Sequence, residues 1–275
     1  LDSLVLGWDE GRSLFHKVGY VIATGRTFED LVRLAEGRGR KAFEEALDEA
    51  IRDHLGLTFG EVADLTYESR KTSDVLLLMN VETIRRMKDS SERYSFRAHA
   101  AGAWSLEHIH AQGAESLNTV EQWTAWLTYH RAALVDLPGI DDDRDRVLAL
   151  VDEVLATEVT QQSFSAAEKE LVDVFAPPDG GDEGEVHAIG NLALLGSRDN
   201  SALNNSVFEV KLREMIRRDK EGSYIPACTR NVFLKYYTDA GSQQLHFWSG
   251  ADRQAYLTAL EDAIGPYLAS EEVDV

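Results

Sequence analysis

Glu107 and His108 stand side by side in the run Trp104-Ser105-Leu106-Glu107-His108-Ile109-His110-Ala111-Gln112. A carboxylate is a hard oxygen ligand suited to Mg²⁺, and an imidazole, with its near-neutral pKa, can take a proton from water. Inside a strand, neighbouring side chains point to opposite faces. The pair shares one site only at a strand end or a turn. Taken alone the pair is a weak signal, and a satisfied structural histidine is the default reading of His108.

A second run, Ile189-Gly190-Asn191-Leu192-Ala193-Leu194-Leu195, is followed by Asn200, Asn204, Asn205, Phe208 and Lys211. Its apolar alternation predicts a short buried strand. Ser197-Arg198-Asp199-Asn200 reads as a turn into a helix, which puts Asn200 near a helix N-terminus. Asn is among the best N-cap residues, and that role competes with service as a neutral oxygen ligand beside Glu107. Asn204, one turn beyond Asn200 on a helix, and Asn205 compete for the same ligand role. His110 is a second ligand, a phosphate donor or a partly buried structural residue, and the last is favoured. His187, just before the strand, reads as structural. His16, His54, His99, His130 and His246 match no ligand spacing. Trp104, Trp123, Trp126 and Trp248 have faces on which bases stack, though core packing is the better reading of each.

The elements that must position these residues are mostly helices. Thr27-Phe28-Glu29-Asp30 has capping spacing ahead of Leu31, Val32 and Leu34. Phe43, Leu47, Ile51 and Leu55 form one apolar stripe, stopped by Gly56. Ser73-Asp74 precedes the run Val75–Met79, which reads as a buried helix continuing through Ile84. Ser90 to Gly102, polar and rich in small residues, reads as a connection. Thr119–Gln122 is a capping box ahead of Trp123, Trp126, Leu127 and His130, and Pro138-Gly139 ends that helix. Further helices are expected from Arg144 to Ala156, after a cap at Ser165–Glu168, and from Ser249–Asp252 toward Leu268. Pro177–Gly181 is a strong loop signal.

Composition narrows the class. The chain has 275 residues, enough for one large domain or two modest ones, and its 44% hydrophobic content rules out disorder throughout. No apolar run approaches the ~20 residues of a membrane helix. Cys228 is the sole cysteine, so neither an intramolecular disulfide nor a paired-cysteine zinc knuckle is possible, and a reducing cytoplasm fits. A net charge of −20 argues against coating nucleic acid by bulk electrostatics. The charge is uneven, however. Between Pro138 and Val186, 14 acidic residues face only Arg144, Arg146 and Lys169, for −11. From His187 to Tyr237, eight basic residues face five acidic ones, for +3, leaving a segment that can meet a phosphate. A solvated helix face of mixed charge explains that segment equally well.

Together, Glu107-His108-Ile109, Asn191 and Asn200 resemble the H-N-H pattern of the ββα-metal, or His-Me finger, nucleases. The nine-residue spacing from Asn191 to Asn200 is similar to that in the HNH domains of CRISPR effector nucleases. More closely, WSLEHIHAQ, IGNLALL and NNSVFEVK resemble the DUF1524 branch. In GmrSD-type modification-dependent restriction proteins and phosphorothioate-sensing defence nucleases, that domain follows an N-terminal DUF262 domain. The likeness extends to Leu76–Thr83 and to Ile225–Tyr237, with Trp248-Ser249 and Asp252-Arg253 beyond, so it covers most of the chain. The DUF262 signature Asp-Gly-Gln-Gln-Arg is missing, and the start at Leu1 reads as a cut inside a longer polypeptide.

The resemblance implies a role for each matching position. His108 corresponds to the general base, Glu107 to the metal ligand beside it, Asn200 to the ligand from the helix, and Asn191 to the residue that holds the finger loop. Lys211 falls at the trailing Lys, where a cation contacts a backbone phosphate. Arg198, Arg217 and Arg218 are candidate DNA contacts. The family site more often reads Glu-His-Ile-x-Pro-Gln, and here His110-Ala111 replaces the Pro-containing form.

The expected fold is therefore mainly α (α+β): a helical region over 1–100 and a DUF1524-like nuclease domain over 101–275, with a ββα-metal finger set among helices. The expected function is a metal-dependent DNA endonuclease, nicking or cutting duplex DNA with one Mg²⁺ or Mn²⁺. It would be a cytoplasmic, hydrolytic effector of restriction and antiphage defence, partnered by duplex phage DNA and a preceding DUF262 domain. Two rivals are a catalytically inactive DNA-binding or regulatory module, and a metal-dependent amidohydrolase built on His108-Ile109-His110. The amidohydrolase ranks last, because it needs a barrel of parallel strands that the helical pattern denies.

Overall fold

Capping chemistry and apolar stripes shape the N-terminal helices. The structure, a computed structural model, describes residues 11–101, 104–111, 117–138, 141–176, 186–196, 205–239 and 245–269. Helix α1 (Arg12–Ala23) leads into α2 (Phe28–Ala35). There the Thr27 hydroxyl accepts the Asp30 N–H while the Asp30 carboxylate accepts the Thr27 N–H. Helix α3 (Arg40–Leu55) buries Leu47, Ile51 and Leu55 and stops at Gly56, whose φ of 58° is left-handed. After the short α4 (Phe59–Ala63), α5 (Thr72–Arg86) runs through the centre with every residue from Val75 to Met79 buried. A helix apolar on all sides belongs there.

Helix α6 (Phe96–Ala101) lies inside the stretch expected to be a plain connection. Its Ala residues favour helix, and its Phe96 ring presses on Gly19 of α1, where an added Cβ would come within 2.1 Å of the ring. Strand β1 (Trp104–His108) follows. Next come α7 (Val120–Val135), opened by the Thr119–Gln122 capping box, α8 (Asp141–Ala156) and α9 (Gln161–Val174). Helix α8 starts earlier than the expected Arg144, at Asp141. Helix α9 is capped by Thr160, which accepts the Ser163 N–H at 3.2 Å, so Ser165 lies within the helix and does not begin it.

A 3₁₀ turn (Ile189–Asn191) delivers the chain into β2 (Leu192–Gly196). Strands β1 and β2 pair antiparallel, from Trp104 opposite Gly196 to His108 opposite Leu192. The chain closes with α10 (Phe208–Lys220), α11 (Ala227–Phe233) and α12 (Gly250–Ile264), the last opened by the Ser249–Asp252 capping box. The molecule is mainly helical, with this one two-stranded sheet among the described residues.

Two apolar cores result. The first gathers Tyr20, Leu47 and Leu76 with Leu192, Trp248 and Tyr256, joining helices from before and after residue 100. The second, of Trp126, Leu134, Val151, Phe164 and Leu171, is the packing of α7, α8 and α9. Helix α10 is the seam: Phe208 enters the first core, while Val207, just ahead of it, and Val210 enter the second. Fully burying each such side chain contributes roughly 1.5–3 kcal/mol, so the first core holds α10 against β2 and the second holds it against α7, α8 and α9.

Candidate functional site

His108 is the last residue of β1, the strand-end position at which adjacent side chains can share a site. Past it the chain is tied to Asn191. The Ile109 N–H donates to the Asn191 carbonyl at 2.8 Å. The buried Asn191 amide then accepts the His110 N–H at 3.0 Å and donates to the carbonyls of His110 and Val186, each at 2.8 Å. One side chain thereby fixes both the segment leaving β1 and the one entering β2.

Glu107 is half-buried opposite Ala193, and its carboxylate accepts a hydrogen bond from the Ser105 hydroxyl at 2.9 Å. It shares a pocket with His108, Lys211, Glu214 and Arg218. Lys211 reaches in from α10, buried, and its ammonium donates to the His108 carbonyl. Burial lowers its pKa to about 8, against the opposing pull of Glu107. The ammonium that the resemblance points toward a phosphate is here engaged by the backbone of β1.

Half-buried His108 has its pKa lowered to about 4, first by burial, then by the Lys211 ammonium and His187. Its Nε2 lies 3.0 Å from His187 Nδ1. Its ring is stacked on Tyr67, with centroids 5.1 Å apart and planes 12° apart. Tyr67 arrives through a short bridge: its N–H donates to the His187 carbonyl at 2.8 Å, and the Ile189 N–H donates to the Leu65 carbonyl at 2.8 Å. Nothing in the sequence marks Tyr67, because the bridge joins residues far apart in the chain. His187 reads as structural from sequence and here faces the His108 ring.

His110 is buried, and its Nδ1 accepts the Phe208 N–H at 3.3 Å; beside it, His130 Nε2 accepts the Val207 N–H at 3.3 Å. Two imidazoles thus cap α10. Burial lowers their pKa values to about 4 and about 3, keeping both neutral as an acceptor nitrogen requires. Trp126 and Trp248 are core residues, stacked on His130 and packed beside Tyr256, and Trp123 stacks on Phe164. The Trp104 side chain lies outside the described part.

The three arginines of α10 are engaged by carboxylates. Arg217 bonds Glu214 and Glu221, Arg218 bonds Glu214, and Arg213 bonds Glu209 and Asp136. Asn205 sits ahead of α10, its carbonyl accepting the Trp126 indole N–H at 3.0 Å. Asn200, Asn204 and Arg198 lie outside the described residues.

Among the described residues no group of three His, Cys, Asp or Glu side chains is placed to hold a metal ion. A Mg²⁺ bound mainly through its own waters needs only one or two oxygen ligands, and Glu107, which lines the pocket, is of the right kind. Compared with protein-family models, with curated proteins and with solved structures, the chain matches none. Among the described residues no helix is long and apolar enough to cross a membrane.

Proposed function

We propose that this chain is a metal-dependent DNA endonuclease of the HNH, or His-Me finger, type, resembling the DUF1524 region of DUF262-linked defence proteins. The observation that carries the reading is the Asn191 clamp. A buried Asn just ahead of β2 holds the segment after His108 by both its amide groups. Such an arrangement serves a base whose ring must be aimed from the end of a strand.

In this reading His108, kept unprotonated by burial and Lys211, accepts a proton from water. The water oxygen attacks phosphorus, and the bond to the leaving sugar oxygen breaks. An arriving phosphodiester brings negative charge that favours protonated His108 as the proton moves. Glu107, with Asn200 or Asn204 or Asn205, would hold one Mg²⁺ or Mn²⁺. When bound, the ion supplies charge stabilisation at the scissile phosphate and the leaving oxygen. Lys211 fixes the end of β1 from inside. Sequence or modification recognition belongs to a preceding DUF262 partner, so this chain alone cuts with little sequence preference in a cytoplasmic defence setting.

A second reading, a catalytically inactive regulatory module, draws on the pairing of Arg213, Arg217 and Arg218 with carboxylates. Titrating Mn²⁺ into the chain with duplex DNA separates the two. The nuclease gives saturable, EDTA-reversible cleavage spread over many sequences, weakened in Glu107→Gln. A single sharp cleavage site, or metal binding with no cleavage, contradicts the proposal.

A further inference from the structure

We propose that His187 is a positioning residue for His108, accepting its Nε2–H and so leaving Nδ1 as the nitrogen that takes the proton from water. The inference rests on the nuclease reading. His108 Nε2 and His187 Nδ1 are 3.0 Å apart, and their ring planes cross at 66°. Only one proton fits between two ring nitrogens, so the contact ties the tautomer of each ring to that of the other. His108 Nδ1 has no hydrogen-bond partner among the described residues. If the shared proton sat on His187, neutral His108 would carry its own proton on Nδ1 and present its lone pair to a neighbouring side chain. With the proton on His108 Nε2, the lone pair belongs to the nitrogen left open.

Rotation of the ring is limited by two further contacts. Tyr67 stacks on one face of His108, and the Tyr67 N–H holds the His187 backbone carbonyl at 2.8 Å. The bridge between Thr66 and Ala188 keeps the wall and the acceptor in register. His187 is exposed, so replacing it removes the hydrogen bond and leaves the core intact. The residues that orient the base therefore come from two places: the segment entering the Asn191 turn and the loop between α4 and α5.

The test is nitrogen-detected NMR of the His108 ring in the full chain without metal, alongside nicking kinetics with Mg²⁺. Wild type is expected to show one tautomer, protonated at Nε2, and His187→Ala a mixture of the two. His187→Asn, whose side-chain oxygen can take the place of Nδ1, restores the single form. In nicking, His187→Ala lowers kcat about tenfold to a hundredfold with KM nearly unchanged, and His187→Asn recovers most of it. Ring signals identical in wild type and His187→Ala, or a wild-type proton on Nδ1, overturn the proposal. Equal nicking rates in wild type and His187→Ala overturn it as well, with the nuclease reading intact. A wild-type chain that does not nick overturns both.

Discussion

Asn191 illustrates how much one amide can hold. Two of its three hydrogen bonds are buried and the third, to Val186, is partly so, and an apolar replacement leaves the His110 N–H and two carbonyls without this partner. Each buried group left unsatisfied costs about 1–3 kcal/mol. Asn191→Ala is therefore expected to destabilise the chain by about 2–4 kcal/mol in urea unfolding and to abolish nicking. An unchanged unfolding midpoint would contradict the clamp. At this scale the sequence was informative wherever a residue type has few uses. The Glu107-His108 pair was a weak signal by itself and Asn191 gained its role only from the family resemblance, yet they meet at one end of the hairpin. Tyr67 and the facing of His187 toward His108 were not legible. They depend on a backbone bridge between residues 65–67 and 187–189, and pairing across such a separation leaves no local pattern.

Among the elements, α10 has an unusual start, with no side-chain cap from Val207 and two neutral imidazoles in its place. This sets a pH dependence. In the unfolded chain His110 and His130 protonate near 6.5, whereas in the fold they resist protonation down to about 4 and about 3. Between those limits the unfolded state binds more protons. Stability is therefore complete above pH 6.5 and falls as pH drops through the window. The urea midpoint is expected to decline already between pH 6.5 and 5, above the range in which carboxylates usually titrate. A flat midpoint over that interval would contradict neutral histidine caps. Helix signals were largely readable where a cap and an apolar stripe coincide, as at Thr27, Thr119 and Ser249. They misplaced the start of α9, because Thr160 with Ser163 competes with Ser165 for the same task. Helix α6 was missed because its six residues are too few to show a period, and its place is set by Phe96 packing on Gly19.

For the whole molecule, the mainly helical class was legible from capping signals and apolar periodicity. The way the two cores share α10 was not, since Val207, Phe208 and Val210 look alike in sequence and face different partners. The C-terminal part is locked to the first core by a buried ion pair. Asp252 bonds the Lys235 ammonium and the Thr238 hydroxyl and caps α12 with Ser249, while the Lys235 ammonium lies 4.5 Å from the Phe208 ring centroid. Removing one partner strands the other charge, so Asp252→Ala is expected to cost about 3–5 kcal/mol. Asp252→Asn, which keeps part of the cap, should cost less. Equal and small losses in thermal unfolding would show that the pair does not hold this region.

The central claim is that His108 serves phosphodiester hydrolysis at this hairpin end. It is tested most directly by single-turnover conversion of supercoiled plasmid to open circle with Mg²⁺ or Mn²⁺, compared with EDTA and with His108→Ala. The expected result is metal-dependent nicking that falls by about 10²-fold or more in His108→Ala, with the unfolding midpoint of that variant preserved. Nicking that persists in EDTA, or that is undiminished in His108→Ala, would contradict it.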